Sequence, residues 1–452
     1  MNKSLNKNIK LLILMFASIF FLSSCNTFSN IETIMQPPKL SAEQSDLQNA
    51  LEEHIGTNVT LKYPKSGDNR TAFVECNIDM DDDNEVIAFH QANVSGSQVI
   101  INVLDKNEGQ WEWICDSSNT IEDEFSRTEI YSVAFYDINN DGKNEIVAGW
   151  NQSTSTNKCM TVYNYEDNQL KHLFSIQYTE GIIADLDNDG QSEVFITLLN
   201  SAENTGEALV YKWNGSQANV IGETKIDGKV TGYAALKTGY LYDSDKLAVY
   251  IDGYKSANEM ITEVIYFNKE GMLVNPFFIE SEGLTKATYR ANTLLVQDIN
   301  SDDYFDIPSS VELPGYEEKI IAEKMWLTTY FSYDGNQSID VIKCIVNQQE
   351  NYCFEFPLEW EGQVTAESDR INRTLTFRLW NPGGGAQTGA PSRDFMIIKA
   401  FTASEWNENK ANTKYDFLEY GPDESVVFAV HLENNKSISI TMDEVKKAFK
   451  VI

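Results

Sequence analysis

The sequence predicts a mainly β protein built from repeated units of four antiparallel strands. One observation is an acidic loop that occurs four times, each time followed by an apolar run. In each copy positions 1, 3 and 5 are Asp or Asn, positions 2 and 10 are apolar, and position 9 is Glu or Asp. The four copies, called the loops of repeats one, two, three and five, start at Asn77, Asp137, Asp185 and Asp298.

A second marker repeats in step with these loops and has the form of a β-hairpin. It is a β-rich stretch, a polar or Gly turn and another β-rich stretch. It begins 26, 25, 25, 27 and 32 residues after five loop starts, at Val103, Val162, Val210, Ile265 and Tyr330. The fifth loop start belongs to repeat four, at Thr238–Leu247. This copy has Thr, Tyr and Tyr where the acidic loops have their ligands.

Each repeat therefore reads strand, acidic loop, strand, strand, turn, strand. Four antiparallel strands in a repeat of about fifty residues are the unit of a β-propeller blade. We therefore expect a β-propeller with at least five blades.

The acidic loop has the chemistry of a calcium site. Alternate side chains at positions 1, 3 and 5 present oxygen atoms around one centre, and a backbone carbonyl at position 7 and a carboxylate at position 9 can join them. Gly142 and Gly190 at position 6 permit a left-handed turn, and Asp82 and Asp303 replace them in the other copies. An EF-hand is excluded, because position 12 is Ala148 in repeat two and strands are expected to follow.

The loop resembles the calcium loop of FG-GAP and VCBS-type propeller repeats, found in integrin α-chains and many bacterial surface proteins. The resemblance covers residues 62–346 and is most specific in repeats two and three. It implies two to four structural Ca²⁺ ions. The ligands it implies are Asp137, Asn139, Asp141, Lys143 (carbonyl) and Glu145; Asp185, Asp187, Asp189, Gln191 (carbonyl) and Glu193; Asp298, Asn300, Asp302 and Asp306; and Asn77, Asp79, Asp81 and Glu85.

The amino terminus has the composition of a secretory signal. Basic residues precede a short apolar stretch that ends in Leu22-Ser23-Ser24-Cys25. This resembles the lipobox of bacterial lipoproteins, which implies a signal peptide at residues 1–24 and a lipid on Cys25. A tether over 25–40 would then hold the protein on the extracytoplasmic face of the cell membrane. The overall arrangement resembles propeller lipoproteins of Gram-positive bacteria.

The charge excludes nucleic acid as a partner. The whole chain carries −33, and loss of residues 1–24 removes three lysines and no acids, leaving 32 − 68 = −36. Such a chain is repelled by nucleic acid and by anionic lipid. The expected membrane link is therefore the lipid.

The remaining segments are assigned by pattern. Residues 41–61 are expected to be a helical spacer, and 347–452 a C-terminal α+β unit or, alternatively, further blades. Two helices are expected near the C-terminus, with Thr402 and Thr441 as caps. The Gly-rich stretch 381–392 lacks the Lys-Ser/Thr of a phosphate loop. The only pair of cysteines close enough in sequence to suggest a bridge is Cys344 and Cys353.

Three classes of function remain open. The leading hypothesis is a binding or scaffold module for an unknown protein or glycan. The alternatives are a cell-wall- or carbohydrate-active enzyme and a docking subunit of a membrane-surface assembly. Fold class alone does not choose among them. Because connection lengths vary most in repeats one and five, we expect the recognition face there.

Overall fold

The computed structural model describes residues 42–120, 125–152, 155–380, 394–433, 438 and 440–452. Within them the chain is mainly β, with six antiparallel sheets of four or five strands, one two-stranded ribbon and three α-helices. The predicted β class and the four-stranded antiparallel units are therefore confirmed. The predicted signal peptide 1–24, Cys25, the tether 25–40 and the Gly-rich stretch 381–392 lie outside the described residues.

The first three sheets follow the chain in order and correspond to repeats one, two and three. In the first sheet two short strands pair with successive halves of one long strand and together take the place of a single strand. The strands of the first sheet are β1 (Val59–Lys62), β2 (Phe73–Cys76), β3 (Glu85–Ala92), β4 (Val99–Asn107) and β5 (Gln110–Asp116). Those of the second are β6 (Ile130–Tyr136), β7 (Glu145–Trp150), β8 (Lys158–Glu166) and β9 (Gln169–Tyr178). Those of the third are β10 (Glu180–Ala184), β11 (Glu193–Asn200), β12 (Thr205–Trp213) and β13 (Ala218–Ile226).

The fourth and fifth sheets hold repeats four and five, and a sixth follows. The fourth sheet and the ribbon consist of β14 (Gly232–Tyr240), β15 (Leu247–Ser256), β16 (Glu259–Phe267) and β17 (Leu273–Val274), then β18 (Phe278–Ile279) and β19 (Leu284–Thr285). The fifth is β20 (Ile307–Glu312), β21 (Trp326–Tyr333), β22 (Ser338–Asn347), β23 (Tyr352–Glu355) and, from the chain end, β29 (Phe449–Val451). The sixth has the order β24 (Val364–Asp369), β25 (Thr374–Leu379), β26 (Asp394–Thr402), β28 (Val426–Leu432) and β27 (Asp416–Tyr420).

The predicted boundary between residues 346 and 347 lies inside β22. Both β23 and β29 continue the same sheet beyond that boundary. The sheet of repeat five thus includes residues from the segment assigned to a C-terminal unit. The division of the chain into domains stays a prediction.

In repeats one to three, the apolar runs after the acidic loops form strands that are mostly buried on both faces, whereas in β20 only the first two residues are buried. All six residues of β7, "EIVAGW", are buried. This follows from the packing of consecutive sheets against each other through apolar clusters. Representative pairs across the five successive clusters are Phe89 with Trp150, Val162 with Ile196, Phe195 with Ile251, Tyr250 with Phe331, and Phe354 with Phe377.

Helices cover the outward faces of the first and sixth sheets. Within the predicted helical spacer 41–61, a helix forms as α1 (Ala42–Ile55) and buries Leu47 and Leu51 against the first sheet, but residues 59–61 belong to β1 of that sheet and not to a spacer. On the sixth sheet, α2 (Ala403–Asn409) buries Trp406 against Phe401 and Val427. Each helix thereby shields part of one face of its sheet from water.

Capping boxes begin the two C-terminal helices, as predicted. The Thr402 hydroxyl accepts from the amide of Glu405 at the start of α2. Thr441 does the same with Glu444 at the start of α3 (Met442–Ala448). Each cap satisfies amide groups that a helix cannot bond internally. In the described part of the chain, no helix has both the length and the apolar character needed to cross a bilayer.

Candidate metal loops and a polar cleft

Each of the four acidic loops lies directly before a strand, namely β3, β7, β11 or β20, and those of repeats two, three and five share one hydrogen-bond frame. In repeats two, three and five, the carboxylate at position 1 accepts from the amides at positions 5 and 6. For Asp137 the donors are Asp141 at 3.2 Å and Gly142 at 2.9 Å, and Asp185 and Asp298 repeat the pattern. In repeat one, Asn77 instead donates to the carbonyl of Asp81 at 2.7 Å. The common frame makes the loops one structural motif.

Left-handed backbone occurs at position 4 of every acidic loop. The residues there are Met80, Asn140, Asn188 and Ser301, with φ of 64°, 61°, 58° and 63°. Position 6 is also left-handed in three loops, at Gly142, Gly190 and Asp303. Asp82 is not, so the prediction of a left-handed turn at position 6 is wrong for repeat one. Position 4 gave no sequence signal, because only two of its four residues are Asn, which tolerates this region well.

A fully buried carboxylate occupies position 9 of each loop. Glu85, Glu145, Glu193 and Asp306 are all 0% exposed. Each accepts from the amide at position 2, at 2.7, 2.8, 2.8 and 3.1 Å. Burial raises the pKa of Glu85 and of Glu145 to about 7, and raises that of Glu193 and Asp306 as well. A buried carboxylate is costly unless a cation or donors meet it.

The repeat-one loop leaves buried oxygen atoms without donors. Glu85 Oε1 and Asn77 Oδ1 are buried and have no hydrogen-bond partner among the described residues. Oxygens of Asp79, Asp81 and Glu85 lie within 4.8 Å of one another, as do those of Asp185, Asp187, Asp189 and Glu193 in repeat three. These donor sets fit a metal ion that prefers hard oxygen ligands. Both clusters could therefore bind a metal.

Repeats two and three place nitrogen atoms between their carboxylates. In repeat two, Asn139 Nδ2 donates to Asp141 Oδ2 at 3.0 Å and to Glu145 Oε1 at 2.6 Å. In repeat three, Lys212 Nζ lies 2.8 Å from Asp187, 2.6 Å from Asp189 and 2.8 Å from Glu193. The lysine was not anticipated from the sequence, because it lies 19 residues beyond Glu193 and only the register of β11 with β12 brings the two together.

Side chains at positions 7 and 8 tie neighbouring loops together. Gln191 Nε2 donates to the carbonyl of Ile138 at 2.7 Å, and Asn144 Nδ2 donates to that of Asn77 at 3.2 Å. The loops of repeats one to three therefore form a contiguous row. The carbonyls of Lys143 and Gln191 remain the predicted position-7 ligands.

Repeat four has a shorter loop than the sequence alignment indicated. Tyr240 pairs with Leu247, just as Tyr136 pairs with Glu145 in repeat two. Only six residues, 241–246, connect β14 to β15, against eight in repeat two. Thr238 and Tyr240 therefore lie in β14 and not at ligand positions. Leu247 takes the place of the buried carboxylate, which explains why this repeat carries no acidic centre.

A polar cleft of about 1120 Å³ lies beside the fourth, fifth and sixth sheets. One wall is the connection 313–325 between β20 and β21, the long connection of repeat five. Three half-buried aromatic side chains line the cleft, accompanied by five amides and several charged groups. The aromatics are Tyr316, Trp326 and Trp380, and the amides are Asn258, Asn292, Asn347, Gln348 and Gln349.

Specific contacts hold the aromatic side of this cleft. The Tyr316 hydroxyl donates to the carbonyl of Ala366 at 2.8 Å, and Thr365 Oγ1 donates to that of Pro314 at 2.7 Å. Gly315 has φ of 91°, and a Cβ there would lie 2.5 Å from the Trp380 ring. The indole therefore packs directly on the glycine backbone. In the sequence, the long connection of repeat five was the feature that indicated a recognition face here. The residues that line the cleft could not be identified, because they also come from the sixth sheet.

Cys344 and Cys353 are both free and buried in one apolar cluster. They lie on the neighbouring strands β22 and β23, where Val346 pairs with Cys353 and Cys344 with Glu355. The side chains are close enough to interact, and this contact raises the pKa of the Cys344 thiol. The structure thus brings the two thiols together in reduced form.

Comparison with known proteins gives no family. No protein-family model and no curated protein matches the chain. The solved structures that it resembles include an exotype rhamnogalacturonan lyase, YesX, with 12% identity over 73% of each chain and a TM-score of 0.31. A PL25 ulvan lyase has 10% identity over 76% of this chain and 88% of that chain, with a TM-score of 0.30. The rhamnogalacturonan lyase YesW has 11% identity over 82% and 91%, with a TM-score of 0.30. Likenesses at these TM-scores support no argument about fold or function.

Proposed function

We propose that the chain is a lipid-anchored, extracytoplasmic binding module that is stabilised by calcium and takes a neutral glycan in the cleft. The observation that carries the binding function is this cleft of about 1120 Å³ with three aromatic rings and five amides. It is about ten times larger than the cavity of about 110 Å³ near Tyr63 and Ile130.

The cleft has the chemistry of a sugar site. Half-buried Trp and Tyr side chains offer apolar faces together with polar edges, which suits sugar rings that are apolar on one face. Asn and Gln side chains both donate and accept, as ring hydroxyls do. A few polar groups among aromatic walls fix orientation in ligand clefts generally. The net charge of −36 expected for the processed chain disfavours polyanions, so a neutral glycan fits better.

Calcium is the metal that we propose for the acidic loops. Several carboxylates at positions 1 to 9 supply the oxygen ligands that Ca²⁺ prefers, and the orphaned Glu85 Oε1 points to a missing cation. The Ca²⁺ ions would be structural, because each loop lies directly before a strand and the loops of repeats one to three also join two strands.

We propose further that the sheets are propeller-type blades of the FG-GAP/VCBS kind. In support, consecutive sheets pack through successive apolar clusters, and the loops of repeats one to three touch in a row. The helices on the first and sixth sheets indicate an open arrangement, because the end sheets face α1 and α2. An experimental structure should place the sheets around one axis, and a flat stack would contradict the proposal.

Anchoring rests on the lipobox-like Leu22-Ser23-Ser24-Cys25. A diacylglycerol carries two chains, which suffices for stable membrane attachment. Cys25→Ser should release the protein from membranes or leave its precursor uncleaved. A normally processed, membrane-bound Cys25→Ser protein would contradict the lipid assignment.

A glycan array with the calcium-loaded protein tests the binding function. Trp326→Ala and Trp380→Ala should each weaken binding at least tenfold, since buried Trp anchors often contribute about 2 kcal/mol or more. Tyr420→Ala is the matched control, because Tyr420 is an aromatic on the sixth sheet that does not line the cleft and is 46% exposed. Binding of a protein with no glycan bound would favour the docking-subunit alternative. Release of sugar products, abolished by Glu259→Gln or Glu367→Gln in the cleft, would favour the enzyme.

A further inference from the structure

In each of the first five sheets, the strand that begins at the end of the connecting loop pairs with the next strand along the chain. The residue of position 10 has a register partner on that next strand, and the residue after this partner faces position 9; we call it the facing residue. The five pairs that define it are Val86 with Leu104, Ile146 with Tyr163, Val194 with Tyr211, Ala248 with Tyr266, and Ile307 with Phe331. The facing residues of repeats one to five are therefore Asp105, Asn164, Lys212, Phe267 and Ser332.

Contacts confirm that this position addresses the loop centre. Lys212 Nζ lies 2.8 Å from Glu193 Oε1, and Ser332 Oγ donates to Asp306 Oδ1 at 2.5 Å. In repeat four, Phe267 packs in the same apolar cluster as Leu247, which replaces the carboxylate. The same place in five sheets thus holds an acid, an amide, an ammonium, a ring and a hydroxyl.

Lys212 has the position of an ion in repeat three. Its ammonium meets three carboxylates within 2.8 Å, and its side chain is 17% exposed. The four loop carboxylates and Lys212 sum to −3. A divalent ion entering this centre would have to displace the ammonium from all three partners, because both compete for the same oxygens.

Asp105 creates the opposite condition in repeat one. The loop has five carboxylates from Asp79 to Glu85, and Asp105 brings the sum to −6. Burial first, and then the charges of Asp79 and Asp105, raise the pKa of Glu85. Glu85 is 0% exposed, and its Oε1 has no donor among the described residues. This centre lacks an internal cation and has an unpartnered buried oxygen aimed into it.

We propose that the facing residue sets how far each acidic loop depends on a divalent cation, with Lys212 as the resident cation of repeat three and Asp105 making repeat one the most metal-dependent. The inference rests on the proposed calcium binding. It reverses the order expected from the sequence, in which repeats two and three match the calcium pattern best and repeat one least. Repeat two, with Asn164 facing Glu145, lies between them.

Calcium titration of the full chain in detergent, by isothermal calorimetry, tests the proposal. Lys212→Met removes the ammonium but keeps an unbranched side chain, and should add one bound Ca²⁺ per chain. It should also lower the melting temperature without metal, and calcium should restore it. Lys225→Met is the matched control, because Lys225 lies on the adjacent strand and pairs with Glu280 in solvent. That control should change neither number.

Two reciprocal variants keep the test decisive if Lys212→Met fails to fold without metal. Asn164→Lys should install a resident cation in repeat two and remove one bound Ca²⁺. Asp105→Asn should weaken one site about tenfold, as expected for loss of a nearby carboxylate interaction worth ~1.4 kcal/mol.

The wild-type chain could bind calcium while Lys212→Met and Asn164→Lys leave the stoichiometry and affinity unchanged. That result would overturn the role of the facing residue but not the calcium proposal. A wild-type chain and a Lys212→Met variant that both bind no Ca²⁺ at millimolar concentration would overturn the calcium proposal as well. Glycan binding is measured separately, so its failure is distinguishable from both.

Discussion

In the fourth sheet a buried carboxylate meets a buried guanidinium, whereas in the first sheet a buried carboxylate meets other carboxylates. Asp252 and Arg290 are both 0% exposed, with Arg290 Nη2 2.8 Å from Asp252 Oδ1. The amide of Val296 and the hydroxyl of Thr262 also donate to the carboxylate of Asp252, at 2.9 and 2.6 Å. Arg290 Nε donates to the carbonyl of Leu294 at 2.6 Å. Both buried charges therefore have partners within the chain.

The first sheet has no comparable basic partner for its buried carboxylate among the described residues. Among the described residues, no ion pair joins Glu85 to a basic side chain, and its neighbours include Asp79 and Asp105. Both sheets are antiparallel and pair their strands in chain order, although the first strand of the first sheet is divided into β1 and β2. The comparison indicates that a buried carboxylate in such a sheet can pair with a basic side chain of the chain or depend on a metal ion from solution. Stability in the two regions should therefore respond to different changes.

Loss of the internal cation should have the largest effect. Arg290→Met leaves Asp252 buried and unpaired, and breaking a buried pair from one side typically costs about 3–5 kcal/mol. The loss should be similar in calcium and in chelator, because neither Asp252 nor Arg290 belongs to an acidic loop. Urea unfolding with both additives measures it. Lys286→Met, which removes an exposed ion pair with Glu282, should leave the midpoint unchanged.

A difference in the Arg290→Met loss between calcium and chelator would mean that the two regions are coupled. The Asp252–Arg290 pair and the acidic loops would then belong to one network and would not be stabilised independently.

Calcium removal should have the next largest effect and should act on the other region. A site at tenfold excess over its dissociation constant contributes about 1.4 kcal/mol by mass action. The melting temperature should therefore fall in chelator and recover in millimolar calcium. Glu85→Gln with Glu145→Gln should shrink that difference, since it removes two position-9 carboxylates. An identical melting curve in chelator and calcium would contradict a structural metal.

Loop conformation should be sensitive in both classes of acidic loop, at a smaller cost. Gly190 has φ of 92° with open space around its Cβ position, so Gly190→Ala adds only backbone strain. That strain is roughly 1–2 kcal/mol. Gly142→Ala, at φ of 85°, should cost the same in chelator and should also weaken calcium binding. Gly232→Ala is the control, because Gly232 has neither positive φ nor a close neighbour. Equal calcium affinity in both loop variants would remove the distinction between repeats two and three.

Much of the fold was predictable because the signal is local and repeated. The loop, the following apolar run and the hairpin recur at fixed spacing, and each became the expected strand or turn. Capping at Thr402 and Thr441 was also predictable, since a capping box spans four residues. The sheet of repeat four was found by spacing alone, but its loop was placed too early by sequence because the alignment did not allow for a shorter connection.

The centres of the candidate sites were predictable only in part. Positions 1 to 9 lie in one loop, so their convergence follows from sequence. Lys212 and Asp105 reach the same centres from the neighbouring strands β12 and β4, and their placement depends on the register of the β11–β12 and β3–β4 pairs. The cleft requires three sheets to meet. Its residues have no common spacing in the chain from which sequence could find them.

The last predicted effect is a pH dependence that appears only without metal. Glu85 and Glu145 have pKa values of about 7 in the folded chain, raised mainly by burial, against 4.5 for an ordinary Glu. Between these values the folded state holds protons that the unfolded state has released, so stability is fully present below about pH 4.5 and falls as pH rises through 7. In chelator the melting temperature should therefore be higher at pH 5.5 than at pH 8. Burial lowers the pKa of His90, which acts in the opposite direction, so the wild-type value must be compared with Glu85→Gln plus Glu145→Gln. Calcium competes with these protons and should abolish the difference between the two proteins' pH profiles. If the wild-type and variant pH profiles still differ in saturating calcium, these carboxylates do not bind the ion. Glu85 of the first sheet would then be neutralised only by protonation.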